Sequence, residues 1–267
     1  MSENLLRLRA RALEKGRKAF RDGDPEGLHD LRVALRRAAA TAAAIGKRKI
    51  ERRLRSLVKV LSPLRQFEVD RQILGRLRSL GVISEDAAAG LDARWDALFA
   101  AGVRKAASVA ESGKMRRAIR RLRRLIRRPP AGLTRLLARE RRKVENRLIP
   151  PSENATDRQL HRFRIAVKRA RYLAEDLAAC GVEGLSDTID REKELQDALG
   201  RWNDVRLFRE RLLDERRQAE ERGAVTFAAE LDHVTAALEG TVASARREAL
   251  AAAGRFARVL SFLEQSA

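Results

Sequence analysis

The chain has 267 residues, 44% of them apolar, and carries a formal net charge of +21 at pH 7. This composition excludes a disordered polymer, and the absence of any apolar run near the ~20 residues of a transmembrane helix excludes a spanning segment. What it describes is a folded, strongly basic chain whose field gathers anions such as nucleic acid, anionic lipid or phosphate polymers.

The charge is uneven. Residues 1–150 hold 39 Lys/Arg against 16 Asp/Glu, whereas residues 151–267 hold 19 against 21. The single cysteine, Cys180, leaves no intrachain disulfide and reads as a small buried apolar side chain. The opening MSENLLRLRARALEKGRKAF lacks the apolar core of a secretory signal, so a cytoplasmic location is expected.

Ala, Leu, Arg and Glu dominate, and the apolar spacing is helical nearly throughout. In chain order, helices are predicted near 3–21, 25–45, 48–61, 64–80, 85–111, 114–128, 131–148, 156–179, 185–199, 204–222, 225–252 and 255–265. Asp24-Pro25 reads as an N-cap followed by the first helical residue, and Pro63 as a break. Thr156 with Gln159 reads as a capping box. Short connections favour antiparallel neighbours. The predicted fold is therefore all-α, and Pro150-Pro151-Ser152 is the best boundary between an N-terminal half, 1–150, and a C-terminal half, 151–267.

The halves resemble each other. LHDLRVALRR, from Leu28 to Arg37, aligns with LHRFRIAVKR, from Leu160 to Arg169, in residue type at every position but Asp30/Arg162. Downstream, the stretch from Leu61 to Phe67 aligns with that from Leu199 to Val205. An internal duplication accounts for both pairs.

On a helical wheel, His29, Arg32, Arg36 and Arg37 occupy the arc opposite Leu28, Leu31, Ala34, Leu35 and Ala38. The second copy repeats the plan with His161, Arg164, Lys168, Arg169 and Arg171, Tyr172 falls beside His161, and Glu175 is placed to pin Lys168 and Arg171. Guanidinium forks grip phosphate oxygens in pairs, and imidazoles gain charge as pH falls, so such a strip suits a row of phosphates.

A further basic tract, Lys114 to Arg128, sets Met115, Ala118, Ile119, Leu122, Leu125 and Ile126 in one apolar stripe with every Arg outside it. Arg117, Arg120 and Arg124 here, with Arg52, Arg55, Lys59 and Arg65 on an earlier helix, form a secondary basic surface.

At the His-x-x-Arg-x-x-x-(Arg/Lys)-Arg helices, the chain resembles the conserved histidine alpha-helical domain (CHAD) family. The second copy continues Arg171-Tyr172-x-x-Glu175 as the family does. A second family mark, a Leu-Gly-x-x-Arg-Asp-x-Asp-Val-like turn, is similar to Leu61–Val69 and Leu199–Val205, departing at Ser62, Gln66 and Glu68. The resemblance covers nearly the whole chain. It implies a single domain of two pseudo-repeated antiparallel helical bundles related by a pseudo-twofold axis. It also implies binding of inorganic polyphosphate along a basic surface or central opening and association with polyphosphate or storage granules; some members of the family are fused to or encoded near triphosphate-processing domains, and no such domain is expected here.

Three other functions compete. Nonspecific nucleic-acid binding at low salt shares the electrostatics, but aromatics are 4% of the chain and form no stacking platform. A granule-surface scaffold would use anion binding only for location. A metal-dependent phosphohydrolase would need ligands among His29, His161, His233, Glu68, Asp70 and Asp204, which lack metal-ligand spacing. The expectation is a binding protein with no cofactor, no metal and no catalytic residue.

Overall fold

In a computed structural model, the structure describes residues 2–24, 26–127 and 129–265, with side chains described for 5–24, 26–127 and 129–257. Pro25 and Arg128 lie outside the described residues. The fold is all-helical: α1 (Ser2–Arg21), α2 (Gly27–Ala44), α3 (Arg48–Ser79), α4 (Glu85–Ala110), α5 (Gly113–Arg127), α6 (Leu133–Glu145), α7 (Asp157–Ala179), α8 (Ser186–Glu221) and α9 (Val225–Gln265). No helix among the described residues is long and apolar enough to cross a membrane.

Three expected breaks are not breaks. Pro63 lies inside α3, where the neighbouring Ser62 hydroxyl donates to the Val58 carbonyl at 2.8 Å. Leu61 and Leu64 are buried on either side, so packing outweighs the ~3 kcal/mol penalty of an interior proline. Gly200 sits inside α8 and Gly254 inside α9, each at the ~1 kcal/mol cost of a helical glycine. The family's Leu-Gly-type mark is accordingly continuous helix in both places. At the start of α2, Asp24 Oδ1 accepts the Glu26 N–H at 2.9 Å and the helix opens at Gly27, two residues later than expected. The capping box is present: the Thr156 N–H donates to Gln159 Oε1 at 2.6 Å, and the Gln159 N–H to Thr156 Oγ1 at 3.3 Å.

The chain forms two compact units. One comprises Met1–Arg65, Ala101–Ile149 and Ile165–Lys193; the other comprises Gln66–Ala100, Pro150–Arg164 and Glu194–Ala267. Each sequence half contributes to both units, and a unit boundary falls at Ile149/Pro150.

In the first unit, α1 and α2 pack closely, and Leu5, Leu6 and Leu13 of α1 and Leu31 and Leu35 of α2 are fully buried. A Cβ on Gly16 would meet the Leu31 nitrogen at 2.8 Å, so this crossing requires glycine. Inside the same unit, Arg9 Nε of α1 donates to Asp176 Oδ1 of α7 at 3.0 Å, and Thr41 Oγ1 of α2 donates to Asp176 Oδ2 at 2.6 Å. This buried triad fixes the rotation of α7 against α1 and α2. The second unit is centred on Trp95 and Phe208, whose rings meet edge-on at 6.1 Å, with Leu91, Leu212, Leu231 and Val234 around them. Trp95 Nε1 donates to Glu215 Oε1 at 2.9 Å, satisfying the one polar atom of that core ring.

Candidate functional site

In the first unit, α2 presents His29, Arg36 and Arg37 half-buried above its apolar face. Arg32 departs from its expected place on the open flank and is only 6% exposed. At ~100° per residue it lies ~40° from Leu28, so the edge of the buried stripe takes it in. From α7 the same unit receives Lys168, Arg169, Arg171 and Tyr172.

The two helices meet chemically at Glu175. Its carboxylate takes Arg37 Nη2 of α2 at 2.8 Å and Arg171 Nη1 of α7 at 3.3 Å. Both guanidiniums also lie over the buried Tyr172 ring, at 5.8 Å and 5.2 Å from its centroid. Tyr172 is thus an aromatic floor beneath two cations. Glu175 pins Arg171 as the spacing predicts, and it also reaches Arg37, which the single-helix wheel does not show.

Arg169 turns elsewhere: it pairs with Glu140 of α6, which lies 3.8 Å from Lys143 as well. Arg141 of α6 is buried and structural. It donates to Glu145 at 2.6 Å, to Glu192 at 3.1 Å and to the Ala170 carbonyl at 3.3 Å.

Because Arg141 is shared three ways, burial wins at Glu192. Desolvation pushes its carboxyl from 4.5 to about 7, against the pull of Arg141, and Oε2 has no hydrogen-bond partner among the described residues. Between those two values the folded chain binds more protons than the unfolded chain. Stability from this group is therefore full below about pH 4.5 and lost as pH rises through 7, by roughly 3 kcal/mol in all. Glu192→Gln is expected to remove that decline. Denaturant midpoints of both proteins from pH 4.5 to 8 check it; parallel profiles would exclude a role for Glu192.

His161 and Arg164, the first members of the second copy, belong to the second unit. His161 Nδ1 lies 3.3 Å from the buried Asn203 Oδ1, so a protonated Nδ1 donates to that amide oxygen and the ring orientation is held. Asn203 in turn donates to Asp204 at 3.5 Å. The sequence marks Asn203 only as part of the second family motif, and the fold gives it this partner. In the same unit Asp70 is fully buried. It accepts from Gln66 at 2.9 Å and pairs with Arg211 at 2.5 Å, whose guanidinium lies 4.4 Å from the Phe67 centroid. Burial pushes the Asp70 carboxyl above its ordinary value, Gln66 and Arg211 pull it down, and Asp204 adds to the rise. Asp70 thus serves a structural pair.

The secondary basic residues sit in the first unit. Arg52, Arg55 and Lys59 are exposed on α3, with Arg55 2.9 Å from Glu51, and Arg65 is half-buried. Arg117, Arg120 and Arg124 are exposed on α5.

Comparison with known proteins agrees with this architecture. The CHAD domain family matches residues 4–213. PptA from Streptomyces chartreusis superposes with a TM-score of 0.72 at 18% identity, covering 94% of this chain and 97% of that one. The CHAD domain from the plant Ricinus communis superposes with a TM-score of 0.70 at 20% identity, covering 92% of this chain and 89% of that one. No curated protein matches the chain. At these identities the two structures speak for the fold, while the family match spans most of the sequence. The chain belongs to the CHAD domain family.

Proposed function

We propose that this protein binds inorganic polyphosphate without catalysis, through the His/Arg/Lys faces of α2 and α7, and so directs itself to polyphosphate-containing bodies or organises them. The observation that carries the reading is the cluster at Glu175. There, cations from both motif helices stand side by side over one aromatic ring. Preset guanidiniums lose less freedom on meeting phosphate oxygens than free ones do. His29, Arg36 and Lys168 extend the cationic face, with Arg32 beneath it. In the second unit, His161, held by Asn203, and Arg164 offer further cations. Arg169 pairs with Glu140 of α6 instead of joining the Glu175 cluster.

Binding is multivalent, so it strengthens with chain length and weakens steeply with salt as counterions are released, by analogy with DNA. The same electrostatics would attract nucleic acid, and the faces contain no base-stacking array. The test is competition at physiological salt between labelled long-chain polyphosphate and duplex DNA at equal phosphate concentration, with free phosphate release followed in the same samples. Polyphosphate is expected to persist, with no phosphate released. Displacement by DNA would replace the reading with general polyanion binding, and steady phosphate release would replace it with catalysis.

A further inference from the structure

Helices α1 and α5 pack together in the first unit, with Met115, Ala118, Ile119 and Leu122 of α5 buried. Beside that seam lies a cleft of ≈ 440 Å³. Six of its lining residues are cations: Arg17, Lys18 and Arg21 from α1, and Arg116, Arg120 and Arg123 from α5. The spacing explains the convergence. Positions 14, 17, 18 and 21 follow i, i+3, i+4, i+7, and positions 116, 120 and 123 follow i, i+4, i+7, so each helix turns one flank toward the cleft. That flank of α5 differs from the one with Arg117 and Arg124, which do not line it.

The charges in the cleft are not balanced. Glu14, the one acid in the lining among the described residues, is 2.7 Å from Arg123. Lys18 and Arg21 share Asp22, at 2.9 Å and 3.1 Å, and Arg17 stands 3.7 Å from Glu111. Arg116 and Arg120 have no carboxylate partner among the described residues. Cations gathered in a concave surface focus field and raise the local concentration of anions.

The lining also limits the anion. Among the described residues, Ile119 is its sole apolar side chain, and no aromatic, hydroxyl or amide side chain joins it. Nothing there stacks on a base or reads a sugar. The volume is that of a small-molecule site, while the walls are guanidinium forks suited to several phosphate oxygens at once.

We propose that the α1/α5 cleft is a second anion site that takes a compact oligophosphate group, either free or as the phosphate arm of a nucleotide. The site is independent of the long-chain reading of α2 and α7.

The probe is inorganic triphosphate, titrated calorimetrically into the full chain at physiological salt. Arg116→Ala with Arg120→Ala is expected to weaken binding by at least about tenfold. Arg117→Ala with Arg124→Ala removes the same charge from the same helix outside the cleft, and Arg36→Ala with Lys168→Ala alters the α2/α7 faces. Each of these pairs is expected to change triphosphate affinity by less than about threefold. Equal losses from all three pairs would overturn the proposal, as would unchanged affinity in the first. Glu14→Gln, which removes the acid of the lining and releases Arg123, is expected to tighten binding; no gain would count against the site. ATP is expected to bind about as well as triphosphate. An ATP affinity more than about tenfold higher would overturn the assignment to the phosphate group alone.

Discussion

Asp176→Ala is expected to lower folding stability by about 3–5 kcal/mol, the range for breaking a buried ion pair by removing one partner. The carboxylate is fully buried and joins three helices through Arg9 of α1 and Thr41 of α2. Burial pushes its carboxyl up, while Arg9 and Thr41 pull the other way. Removing the acid leaves the Arg9 guanidinium, itself 4% exposed, buried without its counter-charge. The effect should reach function as well. Asp176 faces inward beside Glu175, and its contacts hold α7 in the rotation that sets Glu175 between Arg37 and Arg171. Chemical denaturation of wild type and variant checks the cost. A loss below about 1 kcal/mol would mean that the triad is solvated and that α7 is oriented by its apolar face alone.

The second large effect is on ligand affinity. Arg36→Ala with Lys168→Ala is expected to weaken long-chain polyphosphate binding by roughly 2–3 kcal/mol, or about 30- to 150-fold. These residues occupy matching positions in the two motif helices, and both are half-buried in the first unit. A cation on a partly buried face meets phosphate at lower effective dielectric than one in bulk solvent, so its loss costs more. Arg117 and Arg124 carry the same charge on the open side of α5. Their removal lowers the long-range field and little else, which is worth less than about threefold at physiological salt.

Much of this was legible in the residues. Apolar spacing located the helices, and Thr156 with Gln159 marked the start of α7. The wheel sorted His29 and Arg36 from Leu31 and Leu35 because a helix face depends only on nearby sequence. The misplaced breaks have a common cause. Pro63, Gly200 and Gly254 carry local penalties of about 1–3 kcal/mol. Those penalties are overcome by burial of neighbours such as Leu64, Trp202 and Phe256, which single-residue propensity does not register. The partners of the site were hidden for a different reason. Glu140 lies 29 residues from Arg169, Asn203 lies 42 from His161, and Arg9 lies 167 from Asp176. Nothing local announces which distant acid or amide a cation will meet. For that reason Arg169 reads as one more cation of the strip in sequence and is engaged in a pair in the fold.

The central claim is that placement on the two motif helices, beyond net charge, binds polyphosphate. It is tested most directly by titrating long-chain polyphosphate, at one physiological salt concentration, into wild type, the Arg36→Ala/Lys168→Ala protein and the Arg117→Ala/Arg124→Ala protein. Each variant is first shown to keep its fold, and an Arg36→Lys/Lys168→Arg exchange serves as the charge-conserving rescue. The expected result is a loss of about 30-fold or more in the first pair, less than about threefold in the second, and substantial recovery in the exchange. Equal losses in the two alanine pairs would contradict the claim and leave the ligand bound by the overall charge of the chain.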